Sequence, residues 1–203
     1  MSSSPISKSR LVVSVTSWNY TGELSRQAYR EGYFAAANLL VQHLAGEHRE
    51  ADGWIRIGLI YPVMYLYRHF VEITIKDVVA LARSFTWVSV SKPKRLGHSL
   101  ADLWKELLGY VDMLQGSDAA QELDEKHGAL VGKLDAIDPS GDRFRYPLDT
   151  SGTAQFQMTL EIDLMEMMNS ISGFRETVND IDYEMRKLID PDDPDAMDRT
   201  YCY

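Results

Sequence analysis

One stripe of the chain concentrates side chains that could do chemistry. Tyr61, Tyr65, Arg68, Glu72 and Lys76 fall at i, i+4, i+7, i+11 and i+15, with His69 beside them. On a helix this spacing confines them to an arc of roughly 80°. The residues between them are mainly apolar, so the helix that carries them is expected to be central. Burying Arg68, Glu72 and Lys76 singly would cost on the order of several kcal/mol each. They therefore either form a hydrogen-bonded network or line a cleft that meets a substrate. A purely structural Arg68–Glu72 ion pair is the competing explanation.

Two further constellations could complete a site. In Gly97-His98-Ser99 an imidazole stands at a helix start, where the positive helix end lowers its pKa and favours the neutral, proton-accepting form. Asp102 could oppose that effect or orient the ring, and Lys94 and Arg95 stand just upstream. A neutral His98 could take a proton from a ribose 2′-hydroxyl while the cations hold the adjacent phosphate. The alternative is a histidine that only helps to cap its helix. The other constellation is the loop Asp138-Pro-Ser-Gly-Asp-Arg-Phe-Arg-Tyr-Pro-Leu-Asp149. If it is extended, Arg143 and Arg145 point one way while Phe144 and Tyr146 point the other. The arginines could clamp a phosphate or carboxylate, or lock the loop to the acidic final helix.

Other chemistries find little support. No Walker A or dinucleotide glycine pattern occurs. His43 and His48 flank Glu47, but without a third ligand nearby they read as surface residues. The single cysteine, Cys202, excludes an intramolecular disulfide framework and a cysteine-based zinc site. His127 reads as partly buried on an amphipathic helix, and the run Met165 to Met168 as adaptable core. No metal and no cofactor is expected.

Helices must position these residues. The 203-residue chain, 45% apolar and 25% charged, has the composition of a single folded domain. Residues 1–20 read as an N-terminal tail, 21–190 as one helical domain and 191–203 as an acidic C-terminal tail. Apolar periodicity predicts helices over about 22–45, 54–83 and 117–134, with Pro62 kinking or breaking the second. Another starts at Ser99-Leu-Ala-Asp102, which has capping-box spacing. Residues 137–152 read as a long loop. The last helix is expected over about 153–189, with a stripe from Phe156 and Leu160 through Phe174 to Leu188. At 1.5 Å per residue it would be roughly 50 Å long, longer than a globule of this size, so its stripe is expected to reach a second copy. The expectation is an all-α, up-and-down bundle of about five helices that forms a homodimer.

The net charge of −9 arises wholly between Glu161 and Asp198, which hold twelve acids and three bases. Such a balance disfavours nucleic-acid binding by general attraction. From Arg83 to Leu100 the sign reverses: Arg83, Lys92, Lys94 and Arg95 meet no acid. A nucleic acid would be met locally there. No apolar run is long enough to span a membrane, and the N-terminus lacks the apolar core of a secretory signal, so a cytoplasmic location is expected.

The stretch Tyr65-Leu-Tyr-Arg-His-Phe-Val-Glu-Ile-Thr-Ile-Lys76, followed by Gly97-His-Ser-Leu-Ala-Asp-Leu-Trp104, resembles the HEPN-like superfamily over about residues 54–110. The resemblance implies a helical bundle that commonly dimerises. In many members it also implies metal-independent ribonuclease activity in toxin–antitoxin and phage-defence settings. Their motif is an Arg separated from a His by four to six residues. Here Arg95 and His98 have two residues between them, and Lys92, with five, is not arginine. Other members are non-catalytic binding modules. Two functions therefore stand. One is binding or cleavage of RNA or a nucleotide, with His98 as base, Arg95, Arg143 and Arg145 on phosphate, and Arg68 with Glu72 organising a floor beside His69 and Lys76. The other is a scaffold that engages a partner protein through the long helix or the acidic tail.

Overall fold

The computed structural model describes residues 23–46, 53–84, 97–157 and 159–189. Five helices follow one another: α1 (Glu23–Ala45), α2 (Gly53–Arg83), α3 (Leu100–Gln115), α4 (Ser117–Ile137) and α5 (Leu164–Ile189). Among the described residues there is no strand, only an isolated bridge between Leu148 and Ala154. The fold is all-α. The expected tails, 1–20 and 191–203, lie outside the described residues, as does Arg95 with the basic run around it.

The element that organises the bundle is α2. It packs against α1, α3 and α5, and its middle buries Val63, Met64, Tyr67, Phe70, Val71, Ile75, Val78 and Val79. Its apolar residues face nearly every direction because three neighbours surround it. Pro62 does not end the helix, which runs unbroken from Gly53 to Arg83. Gly58, whose carbonyl Pro62 leaves without an amide donor, is exposed to water. The pairs α1/α2 and α3/α4 are antiparallel hairpins. Asn38 accepts from the Tyr67 hydroxyl at 2.7 Å in the first, and Leu100 N–H reaches Asp135 Oδ1 at 2.7 Å in the second.

Local signals account for most boundaries. Ser99 Oγ accepts the Asp102 amide at 3.1 Å and caps α3 as the capping-box spacing predicts. Gly116 turns α3 into α4 at φ +99°, a conformation that a side chain would strain. The final helix differs from expectation. It begins at Leu164, because Asp163 Oδ1 accepts the amides of Met165 and Glu166 at 2.9 Å each. The described residues between 153 and 163 are not helical, and Phe156 instead packs on Phe144 with ring centroids 5.1 Å apart. With 26 residues, α5 is roughly 39 Å long. Its stripe, Met167, Ile171, Phe174, Val178, Ile181 and Met185, is consumed by this chain's own core. Excess helix length therefore gives no argument for a second copy.

Candidate functional site

The polar stripe of α2 closes into a network. Arg68 is 2% exposed and uses three nitrogens at once. Nε donates to the Asp138 carbonyl, Nη1 to Glu72 Oε2 and Nη2 to the His98 carbonyl, each at 2.7 Å. One guanidinium thus pins α2 to the start of α3 and to the chain leaving α4. Glu72, 4% exposed, is met on its other oxygen by Lys76 Nζ at 2.6 Å and His98 Nδ1 at 2.8 Å. Burial pushes the Glu72 pKa up. The donors from Lys76, Arg68 and His98 outweigh it and hold the carboxyl below its ordinary value.

An ionised Glu72 can only accept hydrogen bonds. The His98 nitrogen facing it, Nδ1, therefore carries the proton. In the neutral ring that leaves Nε2 as the proton acceptor. The His98 side chain is 70% exposed, so this acceptor is open to solvent. His98 does not cap α3, because the Ser99 hydroxyl does.

The loop after α4 forms around Asp138, which is completely buried. Its Oδ1 accepts the amides of Gly141, Asp142 and Arg143 at 2.8, 3.0 and 3.1 Å. Its Oδ2 lies 3.6 Å from Arg68 Nε. Gly141 sits at φ +80°, and a Cβ there would come within 2.7 Å of Arg68 Nη1. Glycine is required on both counts. The segment that follows is a turn, with Arg145 and Tyr146 amides both directed at the Asp142 carbonyl. The loop is therefore not extended, and the alternation that an extended loop would give does not arise. Arg143 turns inward to the Ile137 carbonyl at 2.9 Å and fastens the end of α4, not the acidic α5. Arg145 turns outward over the Tyr65 ring at 5.7 Å and the Tyr146 ring at 5.5 Å.

His69 joins the same surface from α2. It stacks on Tyr65 with centroids 5.5 Å apart and planes 11° apart, and meets the edge of Tyr33 at 4.6 Å. Burial lowers its pKa, Glu72 opposes that, and Lys76, Arg145 and Arg68 add to the lowering, so the ring is neutral near pH 7.

The structure therefore brings Arg68, Glu72, Lys76 and His98 into direct contact and places His69 and Arg145 beside them. Arg143 is drawn away to the loop's own base. Arg68 forms the floor and is not available as a phosphate contact. These groups meet at an open surface. A groove of about 950 Å³ lies elsewhere, lined mainly by apolar side chains such as Ile57, Ile60, Tyr61 and Phe156, and none of the network residues lines it. Asp138 and Gly141 were not singled out from the sequence, although Asp-Pro-Ser-Gly-Asp is a signature for an aspartate-centred turn. Tyr29 and Tyr33, on a face of α1 that reads from the sequence as ordinary packing, meet the His69 ring at 6.4 and 4.6 Å between centroids.

Among the described residues no group of three or more His, Cys, Asp or Glu side chains is placed to hold a metal ion. No helix of the described residues is long and apolar enough to cross a membrane. Comparison of the chain with family models, curated proteins and solved structures returns no match.

Proposed function

We propose that the chain binds single-stranded RNA and cleaves it without a metal, with His98 as general base. The observation that carries this is the exposed His98 ring held at Nδ1, 2.8 Å from a buried carboxylate that two cations keep ionised. A carboxylate that fixes the tautomer of an exposed imidazole prepares its far nitrogen to accept a proton. His98 Nε2 takes the proton of a ribose 2′-hydroxyl, and the 2′-oxygen attacks the neighbouring phosphorus. The P–O5′ bond breaks and the departing 5′-oxygen takes a proton from solvent. The products are a 2′,3′-cyclic phosphate and a 5′-hydroxyl end. Arg145 and Lys76 supply positive charge for the phosphate, and Arg95 stands near in sequence. The resemblance to HEPN-like proteins supports the same chemistry and a toxin or phage-defence setting.

The test is incubation of purified protein with labelled RNA in chelator. Fragments ending in cyclic phosphate are expected, with loss of about a hundredfold or more in rate for His98→Ala. Unchanged cleavage by His98→Ala removes the assignment.

A second reading, a module that joins proteins, is favoured by one feature. The first turns of α2 expose Trp54 by 80%, Ile55 by 56% and Ile57 by 62%, an apolar surface of the kind that marks an interface. Light scattering decides whether it joins two copies. A two-chain mass that Trp54→Glu reduces to one supports a homodimer, and a strict monomer rejects it.

A further inference from the structure

Six side chains form a continuous row beside the His98–Glu72 pair without being part of it. Tyr29 meets Tyr33 at 5.0 Å between centroids, Tyr33 meets His69 at 4.6 Å, and His69 stacks on Tyr65 at 5.5 Å. Arg145 then covers Tyr65 at 5.7 Å and Tyr146 at 5.5 Å. The row draws on α1, α2 and the loop after α4, regions far apart in sequence. Its two ends are open, with Tyr29 45% and Tyr146 56% exposed.

Three properties define what such a row can take. Tyr29 and Tyr146 offer ring surface to water at its two ends, while Tyr33, His69 and Tyr65 between them are half-buried and brace one another, so the matching ligand is planar and repeated. Arg145 is exposed, and among the described residues no hydrogen bond or ion pair engages its guanidinium, so a cation stands ready for an anionic linker. The row's exposed ends, Tyr29 on α1 and Tyr146 on the loop after α4, lie on different elements, so the ligand is an extended strand. Stacked bases on a phosphate backbone have all three features.

We infer that the Tyr29–Tyr33–His69–Tyr65–Arg145–Tyr146 row is a base-stacking platform that holds unpaired bases of the RNA strand next to His98. The inference rests on the RNA reading above and adds to it a requirement for bases. His69 and Glu72 lie one helical turn apart on α2, so a strand laid along the row carries its sugar-phosphate backbone toward the imidazole that Glu72 orients. Stacking is tolerant of sequence, because every base has a π face. Weak sequence preference follows, with a strong dependence on single-strandedness.

The experiment uses a fluorescently labelled 2′-O-methyl oligoribonucleotide, which lacks the 2′-hydroxyl and cannot be cut by the proposed route. Its affinity is compared with that of an abasic strand of equal length and charge. The platform predicts binding of the abasic strand weaker by roughly tenfold for each base lost from the row. It predicts a similar loss for the intact strand with Tyr146→Ala and with Tyr29→Ala, whose unchanged melting shows that they fold. Equal binding of intact and abasic strands by the wild type, or no binding of either, overturns the platform. Cleavage of unmodified RNA is scored separately. The platform fails alone if RNA is cut with indifference to bases, and the nuclease reading fails alone if base-dependent binding occurs without cutting.

Discussion

Replacing Arg68 by lysine tests how the site is built. The guanidinium makes three hydrogen bonds of 2.7 Å to groups on three different segments while only 2% exposed. An ammonium keeps the charge and can stay on Glu72. It cannot also reach the carbonyls of Asp138 and His98, because the fork geometry is gone. Two charge-assisted bonds at about 1.5–3 kcal/mol each give an expected loss of about 3–6 kcal/mol. For a chain of this size that lowers Tm by roughly 6–24 °C. Urea unfolding followed by far-ultraviolet circular dichroism reads it directly. The midpoint should fall while the slope stays constant, the mark of lost stability without a change in the surface exposed. His98→Ala is the control, since the ring is 70% exposed and its loss should cost less than about 1 kcal/mol. An Arg68→Lys variant within about 1 kcal/mol of wild type would refute the idea that one buried side chain ties α2, α3 and the α4 exit together.

Two other perturbations follow from the same geometry. Gly141→Ala places a Cβ 2.7 Å from Arg68 Nη1 in a backbone at φ +80°, and should cost about 2 kcal/mol or more in the same urea assay. His127 is buried, with Nε2 2.9 Å from Thr177 Oγ1, and burial followed by nearby Lys126 lowers its pKa to about 4. The unfolded chain binds a proton near pH 6.5 and the folded ring does not, so the stability of the neutral state is whole above pH 6.5 and is lost as pH falls toward 4. The loss reaches at most about 3 kcal/mol. Melting temperatures of wild type and His127→Gln across that range check it, the variant showing the flatter dependence.

The helices were legible because their signals are local. Periodicity set α1 and α2, and the Ser99 cap set the start of α3. The stripe at Arg68, Glu72 and Lys76 announced that buried charges must find partners, and they did. What could not be read was where the remaining partners come from. The Arg68 donors end on backbone carbonyls of His98 and Asp138, and every residue type has a carbonyl. The alternating Arg and aromatic residues after α4 would divide between two sides only in an extended loop. The buried Asp138 carboxylate instead gathers three amides into a turn and sends Arg143 and Arg145 in different directions. In the last helix the apolar spacing continued past its true start. Phe156 and Leu160 kept the rhythm by coincidence, while the Asp163 cap was the decisive signal.

The protonation of the His98 ring tests the central claim most directly. Two-bond proton–nitrogen correlation spectra of labelled protein near neutral pH distinguish the nitrogen that carries the proton. In the neutral ring, Nδ1 should be protonated and Nε2 bare, and Glu72→Gln should dissolve that preference. A ring protonated at Nε2, or one that ignores the loss of the Glu72 carboxylate, would contradict the account.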